Sequence, residues 1–539
     1  MNSFSYRITL LIFVCFAIFL SNSTSAQTVE DFYATDKIQD ISIDFSQNNW
    51  RYLLDSLRYN GDEMLSATVL VNGQAFDKAG VRYRDGVSFT PGGRRNSLFI
   101  DLNLKGDKKY AGLSELELSA ATRDPSMVRE VIGFEMARNY FPAPMANYAR
   151  VKVNNEYYGL MVNIEVVNKD FMDKHLGTDQ GDLFFAESVA LEKELQCNSN
   201  VYGTLKKDRS EECLQLNFVK KEGTWSDLYE LTTTLKDNPG QIDRILDVDQ
   251  VLWMLAYNNV FLNLKSYSGK YSYNYYLAKA EGGRFMMLPG RLNLSFGSYK
   301  NTGLGSDLKP AQMLRLSVFL HENNEKKPLL NVLLSNDTYK KYYIAHVRQI
   351  MADIKKYDLK KRIEGLHALI YPDFVNDKNR YYSTQDLSNS VTQTIGKRSK
   401  IPGVVSLVKE RRSFLKTEKT LTVIPPAVAE ISYKKRKQFS NEKVKSFQIK
   451  VTTANHAKHV FVHYRYDNTA SFKTMKLKDD GKHFDDAAND KVFGIELTPK
   501  AGQSSLEYYL TVENANALSF FPENYQLKKR IVTLAELNK

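Results

Sequence analysis

Cysteine is scarce in this 539-residue chain: there are three, Cys15, Cys197 and Cys213. That scarcity excludes a disulfide-stapled scaffold, and no further Cys or His stands near enough in sequence to build a four-ligand zinc site on the last two. Histidine is also rare, at 8 residues. His321, His346 and His367 have no neighbouring Ser or Cys nucleophile pattern, so they read as core or surface side chains rather than catalytic bases. No apolar run after residue 20 is long enough to cross a bilayer. Long-period repeats and low-complexity tracts are missing too, which excludes solenoids and disordered polymers.

What is present is the composition of a folded, strand-rich protein, 43% hydrophobic with 32 Tyr and 29 Phe. At about 150 residues per domain, the length predicts two to four units. The N-terminus carries Arg7, an apolar run from Ile8 to Leu20 and then Thr24-Ser25-Ala26, the pattern of a secretory signal over residues 1–26. The run is shorter than the ~20 residues a membrane anchor needs, and Cys15 follows Val14 rather than the small residue of a lipoprotein site. Export, to the periplasm, cell surface or medium, would bring Cys197 and Cys213 into oxidising surroundings. A bridge between them closes a short loop and contributes about 3 kcal/mol; two free thiols on an insertion are the alternative. Net charge is +12 and falls to +11 without Arg7. The basic residues are scattered, which together with export excludes nucleic acid and leaves a protein or an acidic glycan as partner.

Along the chain, Asn72-Gly73 and Asn154-Asn155 each sit between alternating apolar runs and predict hairpins. Asp124 and Pro125 read as the N-cap and first position of a helix, and Asp247 or Asp249 as the cap of another over ILDVDQVLWMLAYNNVFLNL. Strands and turns after it place residues 263–274 and 289–297 at neighbouring strand ends. Residues 310–420 are helical in pattern. After the break TVIPPAV, short alternating strands over 425–535 predict a β-sandwich. In that region Asp479, Asp485 and Asp490 cluster with Asp480 and Asp486, as a calcium site or as solvated Asp-Gly turns.

The words FDKAGVRYRDGVSF, LNLKGDKKYAGLSELEL, DPSMVREVIGFEMARNYFPAPMANYARVKVNNEYYGL, GDLFFAE, LDVDQVLWMLAYNNVFLNLKSYSG, YNYYLA and FMMLPGRLNLSFG follow one another in order. Together they resemble the CotH family, named for a spore-coat protein kinase. The resemblance implies an α+β fold: an atypical protein-kinase-like domain over residues 27–420, with its motifs strongest over 41–300, followed by a small immunoglobulin- or fibronectin-III-like sandwich. An intact member would transfer phosphoryl groups using ATP and Mg²⁺.

This chain departs from the family pattern where that chemistry resides. The loop NLKSY has Lys265 where the family's catalytic Asp is expected, and PGRLN has Arg291 and Asn293 where two acids are expected. Asn274 keeps the family's metal-binding Asn, and Arg84 stands where a phosphate-facing residue is expected, with Arg94 and Arg95 weaker candidates. These changes make the site about five charge units more positive, and unit charges at ~4 Å interact by about 4 kcal/mol at an effective dielectric of about 20. Three readings follow: a secreted pseudokinase, an active unconventional kinase or nucleotide transferase, or a binder of phosphate, sulfate or acidic glycan. The second would need ATP, Mg²⁺ and substitute acids, for which Glu165, Asp247, Asp249 and Glu281 are the candidates.

Overall fold

The computed structural model describes residues 27–60, 63–84, 89–104, 106, 108–189, 191, 193–198, 201–438, 441–466 and 472–539. The expected leader lies outside them, as do Asp85 to Ser88 beside Arg84. The chain divides into two compact units: one runs to Ala120 and includes Asn147–Glu165, the other comprises Ala121–Ala146 and Val166–Lys539. No described helix is long and apolar enough to cross a membrane.

The first unit is a closed barrel. Its strands are β1 (Ile38–Asp44), β2 (Leu65–Val71), β3 (Gln74–Tyr83), β4 (Leu98–Asp101), β5 (Glu115–Ser119), β6 (Ala146–Val153) and β7 (Glu156–Ile164), in the order β1-β2-β3-β4-β5-β7-β6. Parallel pairing of β1 with β6, Ile41 opposite Val151, closes it. Alternation puts Ile41, Ile43, Val69, Val71, Val81, Ile100 and Leu118 inside. Helix α1 (Trp50–Asn60) joins β1 to β2. The Asn72-Gly73 turn has both residues left-handed, at φ 47° and 87°, and Asn154-Asn155 repeats this at 49° and 64°. Both are two-residue turns whose twist suits hairpin strands.

In the second unit, β8 (Gly181–Ala186), β9 (Phe218–Glu222), β10 (Tyr275–Ala280) and β11 (Met286–Pro289) form a sheet ordered β11-β10-β8-β9. Helix α2 spans Arg129–Ala137, starting later than the Asp124-Pro125 pair predicts. Met127 is left-handed at φ 57°, which no helix accommodates. The Asp124 carboxylate accepts from the amides of Ser126 and Arg129 and pairs with the Arg129 guanidinium at 2.7 Å. Asp124 therefore supports a buried turn ahead of the helix. Helix α3 (Val248–Val260) is capped by Asp247, whose carboxylate accepts from Gln250 N. It is buried on all sides, as its apolar composition requires. The helix α4 (Asp337–Lys356) follows in the helical stretch predicted over 310–420, with Leu359–Asn376 and Val404–Leu415 after it. Cys197 and Cys213 are joined as a disulfide with their Cα atoms 5.6 Å apart.

The C-terminal strands are β12 (Ala427–Tyr433), β13 (Phe447–Ala454), β14 (His459–Arg465), β15 (Lys473–Lys476), β16 (Val492–Leu497), β17 (Ser505–Glu513), β18 (Leu518–Phe521) and β19 (Arg530–Thr533). They form one sheet ordered β12-β13-β16 and another ordered β15-β14-β17-β18, with β19 also on β17. One core lies between them, with Phe447, Ile449 and Ile495 facing Val462, Leu510 and Val512. Stacked rings connect this region to the helices: Tyr140 on Trp253, Trp253 on His346, His346 on Phe520, Phe520 on Tyr525, Tyr525 on Tyr509 and Tyr509 on His463.

Candidate functional site

Three chain segments meet at one side chain. Asn274 precedes β10 and is left-handed, at φ 68°, a conformation that Asn tolerates better than most residues. Its Nδ2 donates to Lys265 O at 2.7 Å and to Arg291 O at 2.8 Å, and its Oδ1 accepts from Arg291 N at 2.9 Å. Its own amide donates to Ala186 O at 2.7 Å, tying in the end of β8. Gly290 makes room for this: a Cβ there would come within 2.6 Å of Asn274 O and Oδ1. Leu292, Leu294 and Phe296 anchor the following loop in the core.

The side chains at this junction are cationic. Arg291 pairs with Glu187 at 3.6 Å and lies over the Phe185 ring. Lys265 lies over the Tyr299 ring, 5.6 Å from its centroid. Burial pulls the Lys265 pKa down, Glu187 opposes this and Arg291 adds to it. Asn293 is buried beside them. Sequence reasoning missed Glu187. Its signal was its place directly after β8, in the word GDLFFAE, where β8 pairs with β10.

The Lys265 loop is held from beneath. Asn263 donates to Asn258 Oδ1 at 2.8 Å, His321 Nε2 lies 3.0 Å from Ser268 O, and Tyr267 OH donates to Thr204 O. Lys327, also missed, donates its buried ammonium to Tyr267 O, Gly269 O and Ser272 Oγ. Burial pushes its pKa down to about 7. These contacts brace the loop around an internal cation.

The chain matches the family model described as CotH kinase protein over residues 82–414. It belongs to the CotH kinase family. None of the curated proteins compared matches it. Membership fits the α+β architecture and places Lys265, Asn274, Arg291 and Asn293 inside the CotH-matched span.

The other expected site residues are described within their own units. Arg84 belongs to the barrel unit, where it is buried and pairs with Glu117 at 2.5 Å. Arg95 is likewise buried and donates to Leu160 O and Ala120 O, whereas Arg94 is exposed. Of the substitute acids, Glu165 is buried in the barrel unit, Glu281 is exposed in the β10–β11 turn, and Asp247 and Asp249 sit at the far end of α3 from Lys265, about 20 Å along a 13-residue helix. His367 Nε2 lies 2.9 Å from Ser126 O and His346 Nε2 lies 2.9 Å from Asp249, each in a structural contact. All six carboxylate oxygens of Asp479, Asp485 and Asp490 accept from backbone amides within their own turn. Among the described residues the group spaced to hold a metal is Cys197, Asp208 and Cys213, and the disulfide leaves it no thiolate.

Proposed function

We propose that this CotH-family chain is an exported pseudokinase, with a kinase-like domain over residues 27–420 and a sandwich over 425–535. In this reading the framework is retained, phosphoryl transfer is lost, and the remaining use is binding or scaffolding. The observation that carries it is the engagement of Asn274: its Oδ1 accepts from Arg291 N and its Nδ2 donates to two carbonyls. A metal-binding Asn presents its oxygen to the ion, and here one of that oxygen's two lone pairs is taken by Arg291 N while the Nδ2 bonds fix the direction of the amide. Lys265 and Arg291 add positive charge where Mg²⁺ would sit, and neither accepts a proton readily at neutral pH. The test is incubation of the purified chain with labelled ATP and Mg²⁺ or Mn²⁺. No transfer to itself or to a general protein acceptor is expected; metal-dependent labelling that Glu187→Gln or Asn274→Ala abolishes overturns the proposal.

A second reading is favoured by Lys265, whose ammonium faces an aromatic ring and forms no salt bridge among the described residues. With Arg291 it would hold phosphate, sulfate or an acidic glycan without metal. Calorimetry with ATP in EDTA, and with acidic glycans at low salt, tests it. Heat that disappears in Lys265→Met supports this reading, and no heat removes it.

A further inference from the structure

A second opening, independent of the pseudokinase reading, lies between the first turn of α3, helix α4 and strands β14 and β17. Its volume is about 970 Å³, at the upper end of the ~300–1,000 Å³ typical of small-molecule sites. An inorganic ion alone would leave it mostly unfilled.

On the helical side the two acids at the start of α3 are engaged within the protein, and Asp243 also lines this side. Asp249 accepts from Tyr525 OH at 2.5 Å and lies 2.9 Å from His346 Nε2, while Asp247 caps its helix. On the side of the C-terminal region, two groups in the connection between β18 and β19 are without a hydrogen-bond partner among the described residues. Arg465 and Glu507 are register partners across β14 and β17 and pair at 2.5 Å. Lys529, which also lines the opening, forms no salt bridge among the described residues; its ammonium is 5.4 Å from the centroid of Phe472, a ring it shares with Arg465. Next to it in the lining, the buried Gln526 Nε2 has no hydrogen-bond partner. On this side both groups without a hydrogen-bond partner among the described residues are donors, and one is charged, with Glu507 and Asp249 acting on that charge from a distance. The ligand they fit is therefore anionic, rich in acceptor oxygens and larger than an ion. An apolar acid such as a fatty acid would leave the amide unanswered against walls that also carry Thr474 and tyrosine hydroxyls.

We propose that this cavity binds an acidic oligosaccharide, with a carboxylate on Lys529 and a hydroxyl or ring oxygen on Gln526. The test is calorimetry of the full chain at low salt with a galacturonic-acid trimer, set against maltotriose and inorganic sulfate. Binding of the acidic trimer is expected, weakened about tenfold or more by Lys529→Met, as the loss of a charge-assisted hydrogen bond implies. Lys529→Arg should restore it, and Gln526→Ala should weaken it by a smaller factor. The melting temperatures of the variants should match the parent's. The proposal is overturned by absence of heat from the acidic trimer, by equal binding of maltotriose, by sulfate binding as tightly as the trimer (an inorganic anion site), or by loss that follows Lys265→Met instead of Lys529→Met.

Discussion

The Lys265 junction and the Lys529 cavity use the same parts on different supports. Each has a lysine over an aromatic ring, Tyr299 or Phe472, and an arginine paired with a glutamate. In the C-terminal region Arg465 and Glu507 face each other across two regular strands, so the backbone ladder sets their geometry. At the junction Arg291 and Glu187 stand just beyond the ends of β11 and β8, and one side chain, Asn274, ties their segments together. An ion pair set by a strand ladder should tolerate the loss of one polar contact, whereas a pair set at loop ends depends on its tie.

The largest expected effect breaks that tie. Asn274→Ala removes three hydrogen bonds, to Lys265 O, Arg291 O and Arg291 N, in a mostly buried setting. At about 1–3 kcal/mol per buried orphan, partly relieved by water, the loss should be about 3 kcal/mol. Urea denaturation measures it, and a loss below about 1 kcal/mol would mean that the loops hold without the tie. Next in size, a titration tests both regions in parallel. Burial pushes His321, under the Lys265 loop, and His463, in the cavity wall, down to about 4 from 6.5. Between those values the unfolded chain binds a proton that the native histidine does not. Stability should thus fall as pH drops from 6.5 toward 4, by on the order of 2 kcal/mol per histidine. His321→Gln and His463→Gln should each flatten part of the slope, and an unchanged slope in either would place that ring in a more solvated setting than its packing indicates.

The two regions were unequally legible in the sequence, for a physical reason. Hairpins at Asn72-Gly73 and Asn154-Asn155 could be read because left-handed turn chemistry is local. The buried turn at Asp124 was misread as a helix cap, because the partner that matters, Arg129, has a capping-independent role: its guanidinium also reaches Pro402 O from a distant segment. Lys265, Asn274, Arg291 and Asn293 could be found because their motifs place them, but the engagement of Asn274 could not, since it needs the two loops side by side. Glu187 gains its meaning only when β8 pairs with β10, and Lys327 reaches the loop from about 60 residues further on. The cavity around Lys529 was invisible because α3 and β14 come together only in three dimensions.

The smallest expected effects sharpen the comparison most. Glu507→Gln should cost about 1 kcal/mol, since the Arg465 contact is close and both side chains are largely covered, whereas Glu187→Gln should cost less than about 0.5 kcal/mol across its 3.6 Å gap. Lys529→Met and Lys265→Met should each leave stability within about 0.5 kcal/mol of the parent, because neither ammonium forms a salt bridge among the described residues and a methionine keeps the apolar stem against the ring. Thermal melts of the four variants on one day, in one buffer, resolve this order. If Lys265→Met destabilises by more than about 1 kcal/mol while Lys529→Met does not, Lys265 is a structural member of its junction. The resemblance between the two sites would then be one of composition alone, and only the Lys529 cavity would keep a cation in reserve for a ligand.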